Sequence, residues 1–272
     1  MPRRQAWRSC LTGVLLAAAT SGMLVGCAAV RQTLGTALVT PAVENQLGLR
    51  VAAQVEKQER VLPNPELQAY VGRVAAPLAA RARLDRPDAV FAVTVLDQPG
   101  QANAFAVPGG HLYVYTGLLL LATDEAELAG VLAHEMGHVV ARHSANQLAA
   151  QYGLELIASM ALGENPSEVA RTAANLGQAG VMARFSRDDE LQADRLAVGY
   201  LADTGYDPNA LASLFGALLR QESGARTTPL EQLLASHPAT GDRIRRLQAQ
   251  TAGKGGARRR EQFVAATAVL RR

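Results

Sequence analysis

Between His134 and His138 the chain sets two imidazoles four residues apart, with Glu135 between them, inside a stretch that is otherwise apolar. On a helix, residues i and i+4 lie one above the other on a single face, so both rings can grip one ion. Glu135 is rotated about 100° from His134 by the 3.6-residue turn, and reaches toward a water on that ion rather than the ion itself. Zinc held by three protein ligands keeps a fourth position for water and lowers its pKa toward neutrality. A neighbouring carboxylate can then take the water proton and pass it to a leaving amine. The plainer alternative is two histidines and a glutamate on a solvated face. Leu128, Val131, Leu132, Val139 and Val140 argue against it, because polar groups among so many apolar ones need partners.

A third ligand is required, and neither a cysteine nor a distal H-x-x-G-x-x-H extension supplies it. Glu190 is the best candidate, in the run Phe185-Ser186-Arg187-Asp188-Asp189-Glu190-Leu191-Gln192-Ala193-Asp194. Glu190 and Asp194 again share a helix face. One can ligate while the other accepts the free N–H of a ligating imidazole and fixes its tautomer. Asp188 and Asp189 read as first-turn acids that favour the helix start.

The beginning of the chain belongs to targeting. Arg3, Arg4 and Arg8 precede an apolar run from Leu11 to Val25, the layout of a secretory signal peptide and too short to span a membrane. The run ends in Leu24-Val25-Gly26-Cys27, which resembles a bacterial lipobox, so residues 1–26 are expected to be a lipoprotein signal and Cys27 the lipidated residue. Acyl chains there would anchor the protein to a membrane surface without spanning it, and Ala28 after the cysteine implies outer-membrane sorting. Cys10, the other cysteine, lies in the signal, which leaves no disulfide and no thiolate metal site. Residues 27–43 read as a tether, 44–250 as the folded domain and 251–272 as a basic, flexible tail, with a short basic amphipathic helix after the break at Gly253-Lys254-Gly255-Gly256 as the alternative. Three arginines leave with the signal, and the tail holds six basic residues against one acid. The stretch from Cys27 to Gln250 therefore carries a net −5, which excludes a basic nucleic-acid-binding face.

Periodicity predicts helices over 44–60 and 66–84, strands over 89–97, 103–107 and 111–116, and a turn at Pro108-Gly109-Gly110. Helices are then expected at 124–142, 145–160, 167–183, 188–202, 208–222 and 240–251. The fold class is α+β, mostly helical, with one small three-stranded sheet.

Beyond the H-E-M-G-H helix, the chain carries Asn103-Ala104-Phe105-Ala106-Val107-Pro108-Gly109-Gly110, Gly117-Leu118, Glu127-Leu128, Ser186-Arg187 leading to Glu190 and Asp194, Gly205-Tyr206-Asp207-Pro208, and Ser236-His237-Pro238 with Arg243. In this order the motifs resemble the HtpX/CAAX-prenyl-protease family of gluzincin peptidases, in its soluble periplasmic lipoprotein branch, over roughly Glu44 to Leu247. The resemblance implies a zincin-type domain with one Zn2+, the ligands His134, His138 and Glu190, and Asp194 as the partner of a ligating histidine. It also implies that His237, which by itself reads as a surface loop histidine, faces the zinc, either to stabilise an oxyanion or to occupy the open coordination position at rest. Arg243 is placed to stabilise transition-state charge or to pair with a site carboxylate. Asn103, Ala104, Phe105, Ala106 and Val107 form the family's edge strand, to which an extended peptide can add by main-chain hydrogen bonds. The implied substrates are unfolded or misassembled envelope proteins. One departure is visible: the family's E-x-E-A-D reads E-L-Q-A-D here, with the neutral Gln192 in the middle.

Two other classes compete. A peptide-holding chaperone or assembly scaffold of the outer membrane could use the same cleft, but every residue the hydrolysis needs is present. A membrane-embedded prenyl-protein protease fails, because outside the signal no uninterrupted apolar run reaches about 20 residues. His143 falls five residues after His138, about 140° further round a continuing helix, and reads as structural or superficial.

Overall fold

The computed structural model describes residues 39–177, 185–222, 237–238 and 240–271. The signal peptide, Cys27 and most of the tether lie outside the described residues.

Two helices open the fold. In α1 (Pro41–Gln58), Thr40 Oγ1 accepts from the Val43 N–H at 3.3 Å, and in α2 (Pro65–Asp85), Asn64 Oδ1 accepts from the Leu67 N–H at 2.9 Å. Each begins with proline, whose missing N–H costs nothing in a first turn. Strands β1 (Ala92–Leu96), β2 (Ala104–Ala106) and β3 (His111–Tyr115) form one mixed sheet of order β1-β3-β2, with β3 parallel to β1 and antiparallel to β2. β1 starts later than its sequence suggests. Phe91 takes φ 48°, where Gly110 presses its backbone close, and the extended run cannot begin before it.

The sheet is buried on both faces, which explains why β3 reads H-L-Y-V-Y without polar alternation. Leu112 and Val114 pack with Ala104, Ala106 and Val95 into the main core beneath α2. Tyr113 and Tyr115 turn the other way with Phe105 and Leu96, against α1. Phe105 stacks on Tyr113 with ring centroids 5.1 Å apart.

A short helix α3 (Thr116–Leu121), absent from the sequence reading, leads into α4 (Glu125–Val140), the helix of the two histidines. Asp124 caps α4, accepting from the Glu127 N–H at 3.0 Å. Every residue of α4 from Glu125 to Val139 is buried, as befits a helix apolar on nearly all sides. The single helix expected over 145–160 is two, α5 (His143–Tyr152) and α6 (Leu154–Leu162), parted where Gly153 takes φ 76°. Next come α7 (Pro166–Gly177), α8 (Arg187–Asp203), α9 (Ala210–Glu222) and α10 (Gly241–Thr251). α8 starts in a capping box, with Ser186 and Asp189 each hydrogen-bonding the other's main chain. Among the described residues no helix is long and apolar enough to cross a membrane.

α8 lies along α4, and Gly137 makes their approach possible. A Cβ at Gly137 would stand 3.0 Å from the Ala193 carbonyl oxygen, tight enough that the neighbouring main chain would have to give by a few tenths of an ångström. The contact turns the His134–His138 face of one helix toward the Glu190–Asp194 face of the other.

The C-terminal segment corrects an expectation. Residues 251–272 were expected to be flexible, yet the described part closes on the domain through α11 (Arg260–Thr267), with Phe263 fully buried. Charge joins this apolar burial in holding the segment. Asp124, Glu125 and Glu127 at the start of α4 are all at least 95% buried and need cations. Arg258 reaches Asp124 at 2.7 Å, Glu127 at 3.3 Å and Asp207 at 3.0 Å, and Arg259 reaches Glu125 at 2.9 Å.

Candidate metal centre

His134, His138, Glu190 and His237 converge, each offering a ligand atom within 4.8 Å of the others, and all four are buried. His134 and His138 come from the middle of α4, Glu190 from the first turn of α8, and His237 from the segment before α10. His134 Nε2 lies 3.1 Å from His138 Nε2 and 3.4 Å from His237 Nδ1. Glu190 Oε1 is 2.9 Å from His237 Nδ1 and 3.6 Å from His138 Nε2.

The far nitrogens are also engaged. His134 Nδ1 stands 3.0 Å from Asp194 Oδ1, and His138 Nδ1 stands 2.9 Å from Nδ1 of His143. With Nδ1 protonated on both rings, their Nε2 lone pairs point at each other and at the Glu190 carboxylate. Nitrogen lone pairs so directed repel unless a cation lies among them. Glu190 Oε2 and Glu135 Oε1 are buried without an aligned hydrogen bond. Such a set of imidazole and carboxylate donors fits one zinc ion.

Glu135 is beside the donor set and outside it. Its Oε1 lies 3.4 Å from His237 Nε2, and the Ala106 main chain hydrogen-bonds the carboxylate. Burial pushes its carboxyl above the ordinary glutamate range. Burial would raise Glu190 as well, but His237 and His134 hold it far below that range. Burial alone would lower His134; the Asp194 and Glu190 carboxylates outweigh it, and the imidazole is pushed up to about 9. For His138 burial, followed by the neighbouring imidazoles, outweighs the Glu190 carboxylate and keeps it well below an ordinary histidine.

Of the two roles weighed for Arg243, the geometry matches pairing with site carboxylates. Its Nε and Nη2 meet Asp194 Oδ2 and Oδ1 at 2.9 and 2.7 Å, Nη1 lies 2.5 Å from Glu190 Oε2, and Nη1 donates to the Pro238 carbonyl at 2.9 Å. Ala104–Ala106 lie at one border of the sheet, and no described strand pairs with the outer edge of β2. Ala104 and Ala106 face the α4 side, while Phe105 and Val107 point into the α1 core. Asn103 is buried, with its Oδ1 unpartnered.

His143 was missed in the sequence. The 140° argument assumed a continuing helix, but α4 stops at Val140 and Arg142 takes a left-handed φ of 61°. α5 then starts at His143 and folds its ring back against His138. Neither Arg142 nor its neighbours carry a turn residue that would announce this. Phe185, whose ring centroid is 4.1 Å from that of His138, was also not singled out.

A profile of peptidase family M48 matches residues 63–251, well over half the chain. The chain belongs to peptidase family M48. This is the zinc-metallopeptidase family expected from the motifs, and zinc, one ion per chain, is the metal for which the donor set is built. M48 relatives include a putative beta-barrel assembly-enhancing protease of Vibrio cholerae, 31% identical over 200 residues covering 70% of this chain and 40% of that protein. The mitochondrial metalloendopeptidase OMA1 of Schizosaccharomyces pombe is 30% identical over 199 residues, covering 71% of this chain and 56% of the relative. The metalloprotease LoiP of Escherichia coli is 31% identical over 166 residues, covering 56% and 60%. The matched region thus spans about half the length of these M48 relatives.

Proposed function

We propose that this chain is a zinc-dependent endopeptidase that cuts unfolded or misassembled proteins of a bacterial cell envelope. One observation carries the reading: a buried glutamate, Glu135, stands beside a His/Glu donor cluster without belonging to it. When bound, zinc supplies a Lewis acid for the scissile carbonyl and acidifies water. His134, His138 and Glu190 hold it. Glu135, held above the ordinary glutamate range by burial, takes a proton from water onto its carboxylate and returns it to the departing amine.

His237 offers a fourth donor beside these three, and if it held zinc at rest the four protein donors would close the set. In the other role its ring would donate to the carbonyl oxygen as negative charge develops there. An extended peptide adds along Asn103–Val107 on the outer edge of β2, beside Glu135, using main-chain hydrogen bonds that ask little of its sequence. Asp194 orients His134, and Arg243 holds Asp194 and Glu190 in place.

The names of the beta-barrel assembly-enhancing relatives support the periplasmic side of the outer membrane as the site of action. Cys27 would supply the lipid anchor there. The test compares casein cleavage and zinc content in wild type, Glu135→Gln and Glu190→Ala. The expected result is loss of cleavage in both variants, with zinc retained by Glu135→Gln and lost from Glu190→Ala. Equal cleavage by wild type and Glu135→Gln would defeat the proposal.

A further inference from the structure

We propose that His143 is a positioning residue for His138: a ring-to-ring hydrogen bond fixes the tautomer in which His138 Nε2 is free to ligate, and Asp189 and Gln192 fix His143 in turn. The inference rests on the reading of His138 as a zinc ligand.

Proton counting carries it. His138 Nδ1 and His143 Nδ1 are 2.9 Å apart, a separation that two nitrogens reach only by sharing one proton between them. His138 turns Nε2 toward the donor cluster, so its own proton belongs on Nδ1, and His138 is the donor of this bond. His143 then accepts through Nδ1, and as a neutral ring carries its proton on Nε2. That nitrogen meets two acceptors, Asp189 Oδ1 at 3.2 Å and Gln192 Oε1 at 3.3 Å. Every polar atom from Asp189 through both rings is therefore assigned a compatible role. His134 has an equivalent in Asp194; without His143, His138 would have none.

The fold builds this contact deliberately. Arg142, in its left-handed turn, is tied to Glu44 at 2.7 Å, which fixes the reversal that brings His143 back over α4. Asp189 divides its carboxylate, giving Oδ2 to Ser186 for the helix cap and Oδ1 to His143. The position where E-L-Q-A-D departs from the family pattern, Gln192, thus touches the second imidazole and not the metal cluster. Partners of this kind typically alter metal affinity by about 10–100-fold when removed.

The test uses the full chain, with zinc affinity read by competition against a chromogenic chelator and melting of the zinc-free protein read in parallel. His143→Leu is expected to weaken zinc about 10–100-fold, and His143→Gln, whose amide oxygen can still accept from His138, to recover most of that loss. Long-range 1H–15N spectra of the zinc-loaded wild type should show His143 protonated on Nε2 and His138 on Nδ1; this needs no variant to fold. Unchanged zinc affinity in His143→Leu, whatever its melting point, or a His143 ring protonated on Nδ1, overturns the inference. His138→Ala separates the two levels: if it binds zinc as wild type does, the metal centre itself is misread, whereas zinc loss in His138→Ala alone defeats only the role of His143.

Discussion

Arg243 holds Asp194 with two parallel hydrogen bonds, Nε to Oδ2 at 2.9 Å and Nη2 to Oδ1 at 2.7 Å, and both residues are 2% exposed. The fork geometry suits a guanidinium and not an ammonium. Arg243→Ala would leave two carboxylates, Asp194 and Glu190, buried without their cation. A loss of about 3–5 kcal/mol is expected in urea unfolding of the zinc-free protein, with Arg243→Lys recovering only part. A loss below 1 kcal/mol would show that the pair is not needed for stability.

Gly137 is the residue on which the two ligand-bearing helices meet. Gly137→Ala places a methyl 3.0 Å from the Ala193 carbonyl, with main chain on that side and no flexible side chain to yield. Overpacking of this kind costs about 1–3 kcal/mol. Because α8 must move to accept it, zinc affinity should fall together with stability. A variant with lowered melting and unaltered zinc affinity would mean that the helix spacing does not set the donor geometry.

The pH dependence has opposite signs with and without metal. The His134 pKa is raised from 6.5 to about 9 by its carboxylate neighbours, against the effect of burial. With zinc removed by chelation, the protonated ring stabilises the fold fully below 6.5, and that contribution is lost as pH rises through about 9. Zinc requires the ring unprotonated, so its affinity should climb about tenfold per pH unit over the same window. Melting of the zinc-free protein and chelator competition, both from pH 6.5 to 9, check the two slopes. A flat zinc affinity would rule out His134 as the proton that zinc displaces.

Arg258 serves two carboxylates at the start of α4, Asp124 and Glu127, and a third, Asp207, while remaining 34% exposed. Solvent screens part of this, so Arg258→Ala is expected to cost about 1–3 kcal/mol, less than a fully buried pair. Deletion after Thr251 removes Arg259 and the fully buried Phe263 as well, and should lower the melting temperature far more. A deletion variant that melts with the wild type would show that the C-terminal helix contributes nothing to the domain.

The sequence was most informative where chemistry repeats at helical spacing. His134 with His138, and Glu190 with Asp194, are i,i+4 pairs, so each pair has one geometry whatever surrounds it. His237 and Arg243 were legible through the family resemblance alone, since a loop histidine and one arginine among several carry no periodic signal. His143 was hidden because its position depends on one backbone reversal at Arg142, whose left-handed conformation is stabilised by Glu44, 98 residues earlier. The basic end of the chain was misjudged for a related reason. Counting charges shows an excess of arginine, but not that three acids at the start of α4 would be buried without it.

Asp124, which caps the metal-binding helix, and Arg258, which neutralises it, are 134 residues apart. On a ribosome the helix and all four donors exist as sequence before Arg258 has been made. Until then Asp124 and Glu127 lack the guanidinium that pairs with them in the folded chain. The helix that carries His134 and His138 therefore gains its last counter-charge only when the C-terminal segment closes on the domain.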